Sequence, residues 1–258
     1  MRDKVIIFAK KIIFGLRLGI VWQLLDAVKF ELEKRSLQIR AGLMPGLPAD
    51  RHGNNQLKKE LLLFYGKDEP YQSFAGSELK DLPFLREGEV RFKIIKENLG
   101  IKGGTLLDIG ANLGYFCHKF EEEGFECYAV EENKMLCYFI EKLKKVSGRS
   151  FKVICRSIFD YKKNQKLVFD AVLALSVFHH FLKSKENYFK LIELLKRIKA
   201  REFFFEPHLP QEFKGKTFYK NYTPEQFVDF IMENSCFKKV ELIGESEGGR
   251  PIFKFSEK

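Results

Sequence analysis

The stretch LLDIGANLGYF, Leu106 to Phe116, brings an apolar run up to Asp108. A Gly110-x-x-x-Gly114 turn and an aromatic helical start follow. A short buried strand that ends in a glycine turn and feeds a helix is the opening unit of a nucleotide-binding α/β sheet. The glycines permit a tight turn and let backbone N–H groups approach a ligand closely. A dinucleotide fingerprint would place glycines where Asn112 and Tyr115 stand, and a P-loop requires a Gly-Lys-Ser/Thr run that is absent. Residues 125–130 read as a second strand, and Glu131 stands at its end, 23 residues after Asp108. A carboxylate there has two acceptor oxygens for the two vicinal hydroxyls of a ribose. The alternative is that Glu131, followed by Glu132 and Asn133, caps the next helix.

DIGANLG together with Glu131 resembles the first two motifs of class I S-adenosylmethionine-dependent methyltransferases, and the resemblance covers roughly residues 87–258. It implies an α/β, Rossmann-like seven-stranded sheet whose last strand runs antiparallel. It also implies methyl transfer from S-adenosylmethionine, leaving S-adenosylhomocysteine. Carried over residue by residue, Asp108, Gly110, Asn112 and Gly114 cradle the methionine part of the cofactor, and Glu131 takes the ribose. Asn112 replaces a commoner glycine, a substitution that asparagine's tolerance of left-handed angles allows. After the third strand the family usually offers an acidic residue to adenine; here Ser157 and Ile158 occupy that place, for the adenine edge and ring face. FDAVLALSVFHHF, Phe169 to Phe181, matches the fourth motif, with Ser176 beside the transferable methyl group and His179 and His180 just beyond. If the acceptor is a hydroxyl, a histidine near its natural pKa suits removal of the proton, although both histidines can equally be structural. Glu206, at the end of the fifth strand, is placed to orient the acceptor or a histidine. Arg91 lies where the branch that caps RNA uses an arginine to clasp the cofactor's carboxylate. The DIGxNxGxF variant also occurs in methyltransferases of glycan clusters.

The elements that must position these residues are legible from Gly104 onward. Strands are expected near 104–109, 125–130, 151–156, 169–175 and 201–206, and helices near 115–123, 133–147, 183–199 and 223–234. Thr223-Pro224-Glu225 is a helix start with a threonine cap and proline in the first turn. Strands near 237–243 and 250–255, joined by the glycine-rich 244–249, close the chain. Upstream, 1–98 reads as a helical extension or lid before a catalytic domain at 99–258. It holds a helix over 4–38, with Ile6, Ile13, Ile20 and Leu24 on one face, and a loop marked by Gly42, Pro45, Gly46 and Pro48. A helix through Tyr65 follows, then an irregular 68–88 carrying Tyr71, Gln72 and Phe74, and a helix from about 87 to 99.

The 27 phenylalanines predict thick aromatic packing rather than specific chemistry. Five cysteines without CxxC spacing favour reduced thiols in a cytoplasmic protein and argue against a zinc or redox motif. No metal is expected. Net charge is +10, with excesses in 1–40 and 141–166 that suit either a solvated lysine-rich face or phosphate contacts. Lys10, Lys11 and Arg17 interrupt the first helix too early for it to span a membrane, but it can lie on a membrane surface or pack against protein. The expected acceptor is a polar small molecule or a glycan hydroxyl. The alternatives are RNA, or a binding module that keeps the pocket without chemistry.

Overall fold

The computed structural model describes residues 2–43, 54–66, 68–74, 79, 84–213 and 218–257. The loop marks Pro45, Gly46 and Pro48, the side chains of Ile6 and Ile13, and Gly76 and Pro83 in the 68–88 segment lie outside what is described. Two compact units divide the chain, Met1–Gly66 and Lys67–Lys258. In the first, α1 (Arg2–Leu43) packs on α2 (Asn54–Tyr65), with Leu37, Ala41, Leu57 and Leu61 buried and Gln56 Nε2 donating to the Gln38 carbonyl at 3.4 Å. No helix among the described residues is long and apolar enough to cross a membrane.

The second unit is a seven-stranded sheet flanked by helices. It begins with α3 (Gly88–Glu97), followed by β1 (Gly104–Ile109), α4 (Tyr115–Glu122), β2 (Phe125–Glu131), α5 (Lys134–Val146), β3 (Lys152–Cys155) and β4 (Leu167–Leu175). It continues with α6 (Lys185–Arg197), β5 (Ile198–Glu206), α7 (Pro224–Asn234), β6 (Lys239–Ser246) and β7 (Arg250–Ser256). The order is β3-β2-β1-β4-β5-β7-β6, with β7 antiparallel to both neighbours, as the resemblance implies. In β5 the side chains alternate between two aromatic cores. Phe203 and Phe205 face the layer of Phe178, Phe227 and Phe255, while Phe204 faces that of Phe92, Phe116 and Phe120. A strand buried on both faces reads as a continuous apolar run, which accounts for Phe203-Phe204-Phe205.

Local signals set the boundaries. Thr223 and Gln226 exchange a reciprocal cap, Gln226 N to Thr223 Oγ1 at 3.3 Å and Thr223 N to Gln226 Oε1 at 3.0 Å, which starts α7 as expected. The glycine-rich 244–249 is not wholly a connector, because β6 runs on through Gly244 to Ser246. A bulge at Leu242/Gly244 makes this possible. Gly244 has φ +159, and a Cβ there would lie 3.0 Å from Ile94 Cγ2, so a side chain at this position would be strained and would press on α3. The helix expected over 183–199 is likewise shorter. Phe178–Lys183 forms a separate 3-10 turn, and α6 starts anew after Ser184, whose Oγ accepts from Asn187 N at 3.2 Å.

The cysteines depart from the expectation of reduced thiols. Cys137 on α5 and Cys155 at the end of β3 are joined as a disulfide, while Cys117, Cys127 and Cys236 are free. The pair is 18 residues apart and is brought together by the packing of α5 on β3, which no local spacing rule can show.

Candidate active site

The carboxyl ends of β1, β2 and β4 open into one cavity of about 920 Å³. Gly110, Asn112, Glu131, Ser157, Ile158, Ser176, His179 and His180 all line it, so eight residues chosen from sequence converge on one wall system. Arg91, Asp108, Gly114 and Glu206 are not on that wall and sit in the layer behind it.

The turn after β1 is held from two sides. The N–H groups of Gly110 and Ala111 donate to the Val130 carbonyl at 2.9 and 3.0 Å, tying the turn to β2. Asn112 N donates to Glu131 Oε2 at 2.9 Å, and Asn133 N donates to Glu131 Oε1 at the same distance. Glu131 thus couples the turn to the start of α5. The cap of α5 itself is Asn133, whose Oδ1 accepts from Met135 N at 2.9 Å and Leu136 N at 3.2 Å. Gly110 and Gly114 have φ of 74° and 76°, and a Cβ on Gly110 would meet Val177 Cγ2 at 2.7 Å. Asn112 (φ 52°) and Ser176 (φ 53°) are non-glycine residues in the left-handed region, backbone strain of the kind that collects at functional sites.

Asp108 is fully enclosed. Burial is the main cause that pushes its pKa up to about 7, the Glu131 charge adds to it, and Arg91 opposes. Glu131 is also raised, mainly by burial, against the lowering effect of its backbone N–H donors. Behind the wall runs a polar chain. Arg91 Nη1 lies 3.5 Å from Glu206 Oε2, and Glu206 accepts from the hydroxyls of Ser176 and Ser246. Ser176 Oγ in turn accepts from Arg250 Nη1 at 2.7 Å. Glu206 therefore orients Ser176.

The two histidines differ. Burial, reinforced by the nearby positive charges of His180, His208, Lys183 and Arg250, pushes His179 down to about 2, so its ring stays neutral. Its centroid lies 4.0 Å from that of His180 and 5.1 Å from that of His208. His180 is exposed to the cavity, with Nδ1 2.8 Å from Lys183 Nζ. Among the described residues no group of three or more His, Cys, Asp or Glu side chains has a metal-holding arrangement.

Among the described residues, Asn112 Oδ1 and Gln72 Oε1 on the wall, and Asp108 Oδ2 and Arg91 Nη2 behind it, are buried without a hydrogen-bond partner. Leaving such atoms unpaired is costly, and the set suits a ligand that brings both an ammonium and a carboxylate. The methionine part of S-adenosylmethionine carries both groups. Tyr71 and Gln72 reach the cavity through a short pairing of 70–73 with 85–86, in which Leu85 N donates to the Pro70 carbonyl at 2.8 Å and Ser73 N to the Arg86 carbonyl at 3.2 Å. Four charged lining residues were given no binding role from sequence: Glu132, Arg156, Glu212 and Arg250. Arg250 stands in GRPIFKF, which reads only as a strand start, and nothing local marks it as a site residue.

Residues 107–199 match the family model described as a methyltransferase domain. No curated protein matches the chain. Among solved structures, the bifunctional kinase-methyltransferase WbdD is 20% identical with a TM-score of 0.58, covering 73% of this chain and 46% of its own. The chain therefore spans less than half of that protein. The PH0226 protein from Pyrococcus horikoshii OT3 is 15% identical with a TM-score of 0.55, covering 76% of this chain and 99% of its own. Magnesium protoporphyrin IX methyltransferase from Synechocystis PCC 6803, solved with bound S-adenosylmethionine, is 11% identical with a TM-score of 0.50, covering 66% of this chain and 77% of its own. These likenesses establish the fold. Residues 107–199, which run from β1 to α6 and carry the turn-and-carboxylate geometry, are thus similar to a methyltransferase domain, on a sheet with the strand order β3-β2-β1-β4-β5-β7-β6.

Proposed function

We propose that the enzyme methylates a hydroxyl of a polar small molecule or glycan. The observation that carries this reading is the cavity itself. At about 920 Å³ it stands at the upper end of the roughly 300–1,000 Å³ typical of small-molecule sites, which leaves room beside the cofactor for a modest acceptor. Polar side chains suited to such an acceptor line it, among them Tyr71, Gln72, Ser176 and His180. The cofactor roles proposed are those the resemblance implies. Glu131 binds the ribose, Ser157 and Ile158 the adenine, Ser176 lies beside the sulfonium, and Asp108, Gly110, Asn112, Gly114 and Arg91 surround the methionine part. Bound there, S-adenosylmethionine supplies an electrophilic methyl group, and the protein's contribution is in-line alignment. His180 takes the acceptor's proton, neutral His179 orients the pocket, and Glu206 positions Ser176.

RNA is the second reading, from the basic excess in 141–166. Several of those charges are already paired. Lys144 lies 2.8 Å from Glu141, Lys152 bonds Glu126, and Arg149 bonds Glu122. That favours the small acceptor. On α1 the exposed side chains of Ile20 and Leu24 support contact with a membrane surface or another protein as part of the same proposal. The test is methyl transfer from labelled cofactor into a metabolite extract and into bulk RNA at rising salt. Label in the small-molecule fraction supports the reading; label appearing only in RNA, and vanishing steeply with salt, overturns it.

A further inference from the structure

Arg250 opens β7, is only 6% exposed, and faces the same cavity as Ser176 and His180. Its guanidinium is fully organised. Nη1 donates to Ser176 Oγ at 2.7 Å and lies 3.4 Å from the Tyr71 hydroxyl, while Nε donates to Glu212 Oε1 at 3.1 Å and Nη2 reaches the same oxygen. A second guanidinium joins it, with Arg86 Nη2 3.0 Å from Glu212 Oε1 and Arg86 Nη1 3.2 Å from the Glu247 carbonyl. One carboxylate thus lies between two arginines, which leaves a net positive charge at the acceptor end of the cavity.

The three partners are not held alike. Arg250 is fixed in the sheet, and Arg86 is held by the pairing of 70–73 with 85–86 and by the Glu247 carbonyl. Glu212 belongs to a four-residue 3-10 turn, Pro210–Phe213, in which its own Oε2 accepts from Leu209 N at 3.0 Å. Burial would raise the Glu212 pKa, but the Arg250 bond, the Leu209 N–H and the two arginine charges together hold it below the usual carboxylate value. The position therefore favours an anion, and forked guanidinium donors match a carboxylate or phosphate in particular.

We propose that Arg250 and Arg86 form an oxyanion subsite for the methyl acceptor, that the acceptor carries a carboxylate or phosphate group, and that Glu212 occupies the subsite until the acceptor displaces it. This rests on the methyl-transfer reading above and narrows its substrate class. A single oxyanion gives a shallow dependence on salt, unlike the many contacts of RNA.

The test titrates the full chain, saturated with S-adenosylhomocysteine, with inorganic phosphate and separately with malonate, followed by calorimetry. Glu212→Gln removes the internal competitor and is expected to raise affinity for at least one probe about tenfold. The stronger probe identifies phosphate or carboxylate as the acceptor's group. Combining Glu212→Gln with Arg250→Gln should abolish the gain, and so should combining it with Arg86→Gln, whose partly exposed side chain makes it the variant of choice if the Arg250 variant does not melt cooperatively. Unchanged affinity in Glu212→Gln, or a gain that survives either arginine change, overturns the subsite and leaves methyl transfer standing. Failure of the unaltered chain to bind S-adenosylhomocysteine counts against the methyl-transfer reading instead.

Discussion

The Asn112 amide and the Glu131 carboxylate meet at 2.9 Å across 19 residues of sequence, so the residue proposed for the ribose also holds the turn that surrounds the methionine part. Its other oxygen takes Asn133 N, also at 2.9 Å. Glu131→Gln is not a neutral swap, because one of these two N–H groups would then face an amide NH₂. We expect Glu131→Gln and Glu131→Ala each to weaken S-adenosylhomocysteine binding by about 10- to 100-fold, the value of one charged hydrogen bond. Calorimetry reads this directly, and unchanged affinity in both variants would remove the ribose assignment.

Much of this half of the site was legible because it is local. Asp108, Gly110, Asn112 and Gly114 fall on one strand-turn-helix unit, and Glu131 ends the next strand, so spacing alone aligns them. The Arg250–Glu212 pair depends on β7 inserting antiparallel beside β5 and on the course of the chain after Glu206, which no window of sequence contains. The Cys137–Cys155 bond is hidden for the same reason. Glu206 was legible as a strand-end carboxylate, but its direction was not, because Arg91 and Ser246 arrive from α3 and β6.

Two glycines separate strain from crowding. Gly124 has φ +87 with open space where a Cβ would point, whereas Gly110 has φ +74 and would place its Cβ 2.7 Å from Val177. Gly124→Ala should cost about 1–2 kcal/mol, the left-handed penalty alone, or a few degrees in melting temperature. Gly110→Ala should cost more, since Val177 must also shift, and it should abolish S-adenosylhomocysteine binding. Equal melting temperatures for the two variants would count against the close approach of the turn to Val177.

Asp108 makes a pH prediction. Its pKa is raised from an ordinary 3.8 to about 7, chiefly by burial. Across that window the folded chain holds a proton that the unfolded chain has released, so this group's contribution to stability falls as pH climbs and levels off above 7. The cofactor's ammonium favours the ionised carboxylate, so binding below pH 7 should expel a proton. Calorimetry at pH 6 in buffers of different ionisation enthalpy detects that release. Asp108→Asn should eliminate it and flatten the stability slope, and proton release persisting in that variant would point to another group.

His179 and His180 are neighbours with opposite prospects as bases. His179 is held neutral, its pKa pushed down to about 2 by burial first and by adjacent positive charge second. A depressed histidine stabilises the fold above its unfolded pKa, near 6.5, and loses that contribution as pH falls toward its folded value. Thermal melts should therefore weaken progressively below pH 6.5, and His179→Gln should remove that part of the slope. His180 faces the cavity beside Lys183, where an acceptor hydroxyl would meet it. With the acceptor identified by the labelled-cofactor screen, His180→Gln should lower kcat by about 10²- to 10⁴-fold, the usual value of a positioned base, while S-adenosylhomocysteine affinity stays the same. A matching loss is not expected of His179→Gln, because burial keeps that ring from taking up a proton. The reverse pattern would make His179 the base and contradict the burial that keeps it neutral.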